Sequence, residues 1–124
     1  MENSLFEETA SLFEENFKKA VTELLILVQF TRRDCYIGEL ADHLLTRSNG
    51  VLSIVFPYAA IYRLLERGYL EEAKKRIAPD GRRRQYYRIT DAGRTYLQAL
   101  KNSYGRMATG ISAILSEEGE HDRE

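Results

Sequence analysis

The alternation of apolar and polar positions divides the chain into helices, one hairpin and a tail. Residues Ser4-Leu5-Phe6-Glu7-Glu8 recur seven positions on as Ser11-Leu12-Phe13-Glu14-Glu15. Leu5, Phe6, Leu12 and Phe13 then share one side of an N-terminal amphipathic helix over 1–15, with the glutamates opposite. Such a stripe is too short to hold alone and calls for a packing partner. From Asn16 to about Phe30 a second helix follows, apolar over most of its surface through Phe17, Ala20, Val21, Leu24, Leu25, Leu27 and Val28. Tyr36 to about Leu45 predicts a third, with Ile37, Leu40, Ala41, Leu44 and Leu45 inward, closed by Arg47-Ser48-Asn49-Gly50. A fourth runs from Pro57, tolerated in a first turn, to Arg67, where Gly68 stops it.

Strand character replaces helical spacing at Tyr69–Ile77 and Arg82–Ile89, on either side of Ala78-Pro79-Asp80-Gly81. Proline presets φ, Asp bonds its own backbone and Gly accepts φ > 0, so a β-hairpin turns here. Thr90 is placed to cap a final helix from Asp91. In that helix Leu97, Leu100, Tyr104, Met107, Ile111 and Ile114 recur at intervals of three and four, a heptad seam suited to self-association, with packing against its own domain as the alternative. Beyond Leu115 the residues are charged, which predicts an acidic disordered tail over 116–124.

Helix, helix, helix, two-stranded hairpin, helix is the order of a winged helix–turn–helix. The expected fold is therefore mainly α with a small two-stranded β-wing. It divides into the extra N-terminal helix, a DNA-binding unit over 16–90, a dimerisation helix over 91–115 and the tail. In this architecture the third helix of the unit enters the major groove and the wing touches the neighbouring backbone. Ser53, Phe56, Tyr58, Ala59 and Tyr62 then face base edges, and Arg63 is within reach of a phosphate or a guanine. The alternatives are a half-buried core position for Tyr58 and a solvated or Glu66-paired Arg63. Three consecutive arginines, Arg82, Arg83 and Arg84, lie just past the turn and suit phosphate contacts or a narrow minor groove. A solubilising charge run on an edge strand is the alternative.

Charge supports the first reading. The formal net charge is −1, yet residues 1–15 hold five acids and no base, and residues 116–124 hold five acids and one arginine. The remaining body carries 17 bases against 9 acids, a net of +8. A basic body with acidic ends is compatible with nucleic acid. At 124 residues the chain makes one domain with a modest core. No apolar run is long enough for a membrane span, the N-terminus is acidic rather than signal-like, and the one cysteine suits a cytoplasmic setting.

Tyr58…Arg63-Leu64-Leu65-Glu66-Arg67-Gly68-Tyr69-Leu70, followed by Arg83-Arg84-Gln85-Tyr86-Tyr87-Arg88-Ile89-Thr90-Asp91-Ala92-Gly93-Arg94, resembles the PadR family of bacterial transcriptional regulators. The likeness spans roughly residues 17–115 and suits the compact members with a single C-terminal dimerisation helix. It implies a homodimeric repressor on double-stranded DNA, with a pseudo-palindromic operator, relieved by a small apolar or aromatic effector. Phe56-Pro57 stand where many relatives have Thr-Leu, and Ile37-Gly38 where many have Gly-Tyr, so base specificity does not transfer.

An effector would find apolar walls with polar tips at Phe6, Phe13, Tyr96, Tyr104 and Met107; a plain hydrophobic interface explains the same residues. Nothing reads as an enzyme. His43 and His121 are isolated, no Cys/His cluster has metal spacing, and no Gly-rich phosphate loop precedes a helix, so no cofactor or metal is expected. Cys35 beside Arg32 and Arg33 is either a redox-sensing thiolate or a buried apolar residue. A winged-helix protein-interaction module without specific DNA binding is the competing function.

Overall fold

No proline or glycine precedes Gly38, so nothing in the N-terminal sequence breaks a helix. In the computed structural model of the chain, which describes residues 2–54 and 57–123 (backbone only at 2–4, 6 and 118–123), helix α1 runs unbroken over Glu2–Gln29. The two helices expected on either side of Asn16 are thus one. A lone Asn costs a helix at most about 0.7 kcal/mol, too little to end it. The C-terminal half of α1 buries Ile26 and Leu27, with Phe30 just beyond it, while Leu5, Leu12 and Phe13 stand exposed.

Next come β1 (Cys35–Tyr36), α2 (Ile37–Arg47), α3 (Tyr58–Glu66), β2 (Leu70–Ile77), β3 (Arg83–Ile89) and α4 (Asp91–Arg123). The expected wing is there, but its sheet has three antiparallel strands in the order β1-β3-β2 rather than two. Cys35 pairs with Tyr87 and Tyr36 with Tyr86. A two-residue strand is too short to show alternation, so this one leaves no pattern in the sequence. A register irregularity lies in β2 between Glu72 and Lys75. At the turn the Gly81 N–H donates to the Ala78 carbonyl at 2.9 Å and Gly81 takes φ 84°, a type I turn closed by a left-handed glycine.

The joint between α3, the wing and α4 is built by backbone bonds and one threonine. The N–H groups of Gly68 and Tyr69 donate to the Leu65 and Leu64 carbonyls and close α3. Thr90 Oγ donates to the Gly68 carbonyl at 2.7 Å and accepts the Gly93 N–H at 3.0 Å, capping α4. A Cβ on Gly93 would run into the Tyr69 carbonyl oxygen and stand 2.8 Å from Ile89. Only glycine lets the helix start so close to the strand.

The core gathers Ile26 and Leu27 of α1, Leu40 of α2, Ile61 and Leu64 of α3, Leu70 of β2 and Ile89 of β3. Leu97 of α4 completes it, so the first residue of the heptad seam packs within its own chain. Helix α4 continues to Arg123 instead of stopping near Leu115, since its last turns contain no proline and propagation adds one bond per residue fixed. Among the described residues no helix is long and apolar enough to cross a membrane.

Candidate nucleic-acid interface

Helix α3 turns Ala60, Ile61 and Leu64 inward, which leaves Tyr58, Ala59, Tyr62, Arg63, Glu66 and Arg67 on the open side. Tyr58 and Tyr62 are exposed by 45% and 59%. Ser53 lies exposed before the helix, and its carbonyl accepts a hydrogen bond from Lys18 Nζ at 3.2 Å. Phe56 lies outside the described residues. Tyr36, Tyr58, Arg84 and Gln85 line one shallow crevice of about 180 Å³, so the start of α3 and the wing border a common surface.

The three wing arginines separate into two kinds. Arg82 and Arg83 are exposed beside the turn, and among the described residues neither side chain has an ion-pair partner. Arg84 is committed within the chain. Its Nη2 meets Asp80 Oδ2 at 2.6 Å, and its guanidinium carbon stands 5.6 Å from the centre of the Tyr36 ring. The Arg84 contact, followed by the Arg82 N–H, holds the Asp80 carboxyl below its ordinary range. Arg76 does the equivalent on the next ring, 3.9 Å above Tyr86 and 3.3 Å from Asp34. Tyr36 and Tyr86 meet edge to face at 5.4 Å, so two arginines and two tyrosines stiffen the turn-proximal half of the wing. Sequence reasoning missed Tyr36 and Arg76 because their partners come from another strand.

Arg63 also has a partner that local spacing does not show. Its Nε donates to Glu23 Oε1 of α1 at 3.3 Å, with Arg67 Nη1 3.8 Å from the same oxygen. Glu23 Oε2 accepts the Tyr96 hydroxyl of α4 at 2.8 Å. The Tyr96 ring lies flat on Tyr69, 4.2 Å between centres, and burial followed by the Glu23 contact pushes its hydroxyl pKa up.

The outer parts of the long helices form a second region. A groove of about 470 Å³ runs between α1 and α4, lined by Phe17, Leu24, Leu100, Tyr104, Met107 and Ile111. Of the five residues suggested for an effector, Tyr104 and Met107 border it. Tyr96 does not, being held between Tyr69 and Glu23, and Phe13 lines a separate shallow pocket with Val51 and Leu52. The Phe6 side chain lies outside the described residues. From the seam, Leu100 is half-buried, whereas Tyr104, Met107, Ile111 and Ile114 face outward.

Cys35 is 1% exposed, its thiol directed at the Gln29 carbonyl at 3.6 Å. Burial, and after it the Glu39 charge, pushes the thiol pKa up to about 12, which removes the thiolate a redox sensor needs. Among the described residues no group of three or more His, Cys, Asp or Glu could hold a metal.

The family model described as the transcriptional regulator PadR-like family matches residues 25–99. A PadR-like transcriptional regulator from Bacillus cereus is similar at 27% identity and a TM-score of 0.68, covering 81% of this chain and 96% of its own. A transcriptional regulator from Clostridium thermocellum shares the fold at 22% identity and a TM-score of 0.69, over 78% of this chain and 95% of its own. So does a PadR family regulator from Clostridium difficile, at 21% identity and 0.63, over 77% and 98%. No curated protein matches the sequence.

Proposed function

The chain belongs to the PadR-like family of transcriptional regulators, and from that premise we propose that it is a homodimeric repressor reading a pseudo-palindromic operator in double-stranded DNA. The observation that carries this reading is the surface shared by α3 and the wing. Exposed Tyr58, Ala59 and Tyr62 meet base edges there, with Ser53 ahead of them. Arg82 and Arg83 at the wing tip take phosphates or enter the minor groove. Arg84 contributes indirectly, by anchoring the tip through Asp80 and Tyr36.

Dimerisation falls to the outward part of the α4 seam, Tyr104, Met107, Ile111 and Ile114, with Leu97 and Leu100 tying that helix to its own core. A small apolar or aromatic effector fits the α1–α4 groove, where Tyr104 supplies a polar tip and Met107 an adaptable wall. The net charge of +8 over residues 16–115 supports the nucleic-acid partner.

The test is binding to a labelled fragment of the protein's own upstream promoter region, at two salt concentrations with nonspecific competitor. Replacing Arg82 and Arg83 by Ala is expected to weaken binding to every sequence. It should also flatten the salt dependence by about one unit of slope per lost phosphate contact. Unchanged affinity would remove the wing from the interface. Absence of binding to any duplex at low salt would favour a protein-interaction module.

A further inference from the structure

Glu23 stands where three elements meet. It lies on α1, its side chain is 17% exposed, and its two oxygens serve different neighbours. Oε1 takes Arg63 and the more distant Arg67 of α3, and Oε2 takes the Tyr96 hydroxyl of α4. Only Nε of Arg63 is used. Among the described residues its two Nη atoms have no partner, and the side chain remains half exposed. An arginine held at Nε by a carboxylate keeps its terminal fork for a second anion, and the fork suits a phosphate.

We propose that Glu23 is a positioning residue for DNA binding: it holds Arg63 with its free edge toward the DNA backbone, and Tyr96 holds Glu23. The inference rests on the DNA-binding reading above. Arg63 has several rotatable bonds, and an unrestrained side chain must be ordered as DNA binds. With Glu23 in place, that ordering is done in the free protein. Tyr96 in turn cannot swing, because its ring is stacked on Tyr69 at the entry to the wing. The carboxylate is thereby fixed from the α4 side, and the arginine from the α1 side.

The opposite sign is physically available, since a carboxylate can also withhold an arginine from phosphate. The experiment therefore reads direction as well as size. Full-length variants are titrated onto a random-sequence 30-base-pair duplex by fluorescence anisotropy over a range of salt. By the scale of coupling between contacting residues, Glu23→Gln and Tyr96→Phe should each weaken binding about three- to tenfold. Arg63→Ala should weaken it at least as much and lower the salt slope by about one unit. The double variant Glu23→Gln with Arg63→Ala should bind no worse than Arg63→Ala alone. Tighter binding by Glu23→Gln would mean the carboxylate withholds the arginine and would overturn the proposal, as would full additivity in the double variant. A lowered melting temperature with unchanged affinity and slope would reduce Glu23 to a structural residue and overturn it too. Failure of the unaltered protein to bind any duplex would overturn the DNA reading itself. Normal binding that is lost on Arg82 and Arg83 replacement but insensitive at Glu23 would sink only this inference.

Discussion

The joint around the wing and the outer halves of the two long helices are built on opposite principles. From Ala60 to Leu97 the chain satisfies itself: Leu64, Leu70 and Ile89 are buried, α3 is closed by backbone bonds, and Thr90 caps α4 while holding Gly68. In the outer halves, Leu12 and Phe13 of α1 and Met107 and Ile114 of α4 are about two-thirds exposed. Contiguous exposed apolar stripes of that kind are typical of surfaces that bind a partner. The family match follows the same division, since residues 25–99 include the joint and stop short of both stripes. One region buries its apolar residues within a single chain; the other leaves them exposed, where the proposed dimer would cover them.

Charging the open stripe should have the largest effect. Met107→Glu with Ile111→Glu alters four side chains in a symmetric dimer, so association should weaken by at least about 100-fold. Both residues face outward in the single chain, so circular dichroism should still report a folded helical protein. Light scattering should show monomers, and operator binding should vanish. A dimer that survives would move the interface to the stripe on α1.

The closed region is expected to fail differently. Gly93→Ala puts a methyl group against the Tyr69 carbonyl, where no flexible side chain can give way. Overpacking of this kind costs about 2–3 kcal/mol, which should lower the melting temperature by roughly 10 °C. The association constant of the remaining folded protein should not change. An unaltered melting temperature would mean that α4 can shift away from the strand, and the joint would not be as rigid as its contacts suggest.

The same difference decides which parts of the fold are written in the sequence. Element order was readable because it is written locally, in the inward spacing of α2 and α3, in Ala78-Pro79-Asp80-Gly81, and in Thr90 before Asp91. The third strand was not, because two residues carry no period. Nor was the continuity of α1, where a single Asn looked like a boundary. For the candidate site, the exposed tyrosines of α3 and the basic wing tip could be named from position in the motif. The division of the arginine triplet was legible only in part: Asp80, the ion-pair partner of Arg84, lies four residues away, whereas Tyr36 comes from another strand. Least legible was Glu23, whose partners lie 40 and 73 residues away.

Cys35 gives the smallest expected effect on function and the finest check on the closed region. Its thiol has a pKa near 12 against an ordinary 9.0, so the folded state keeps its proton where the unfolded chain has lost it. The sign follows from linkage: the stabilising contribution is full below about pH 9 and declines as pH rises toward 12, because the unfolded state then binds fewer protons. Lysines and tyrosines titrate in the same range, so the quantity to measure is the difference in stability between the unaltered protein and Cys35→Ala as a function of pH. That difference should shrink from pH 9 upward. At pH 8 the folded protein should react slowly with iodoacetamide, and peroxide should leave DNA binding unchanged. Rapid labelling without denaturant, or peroxide-sensitive binding, would mean that the strand pairing of Cys35 with Tyr87 opens readily, and the joint would then belong with the open region.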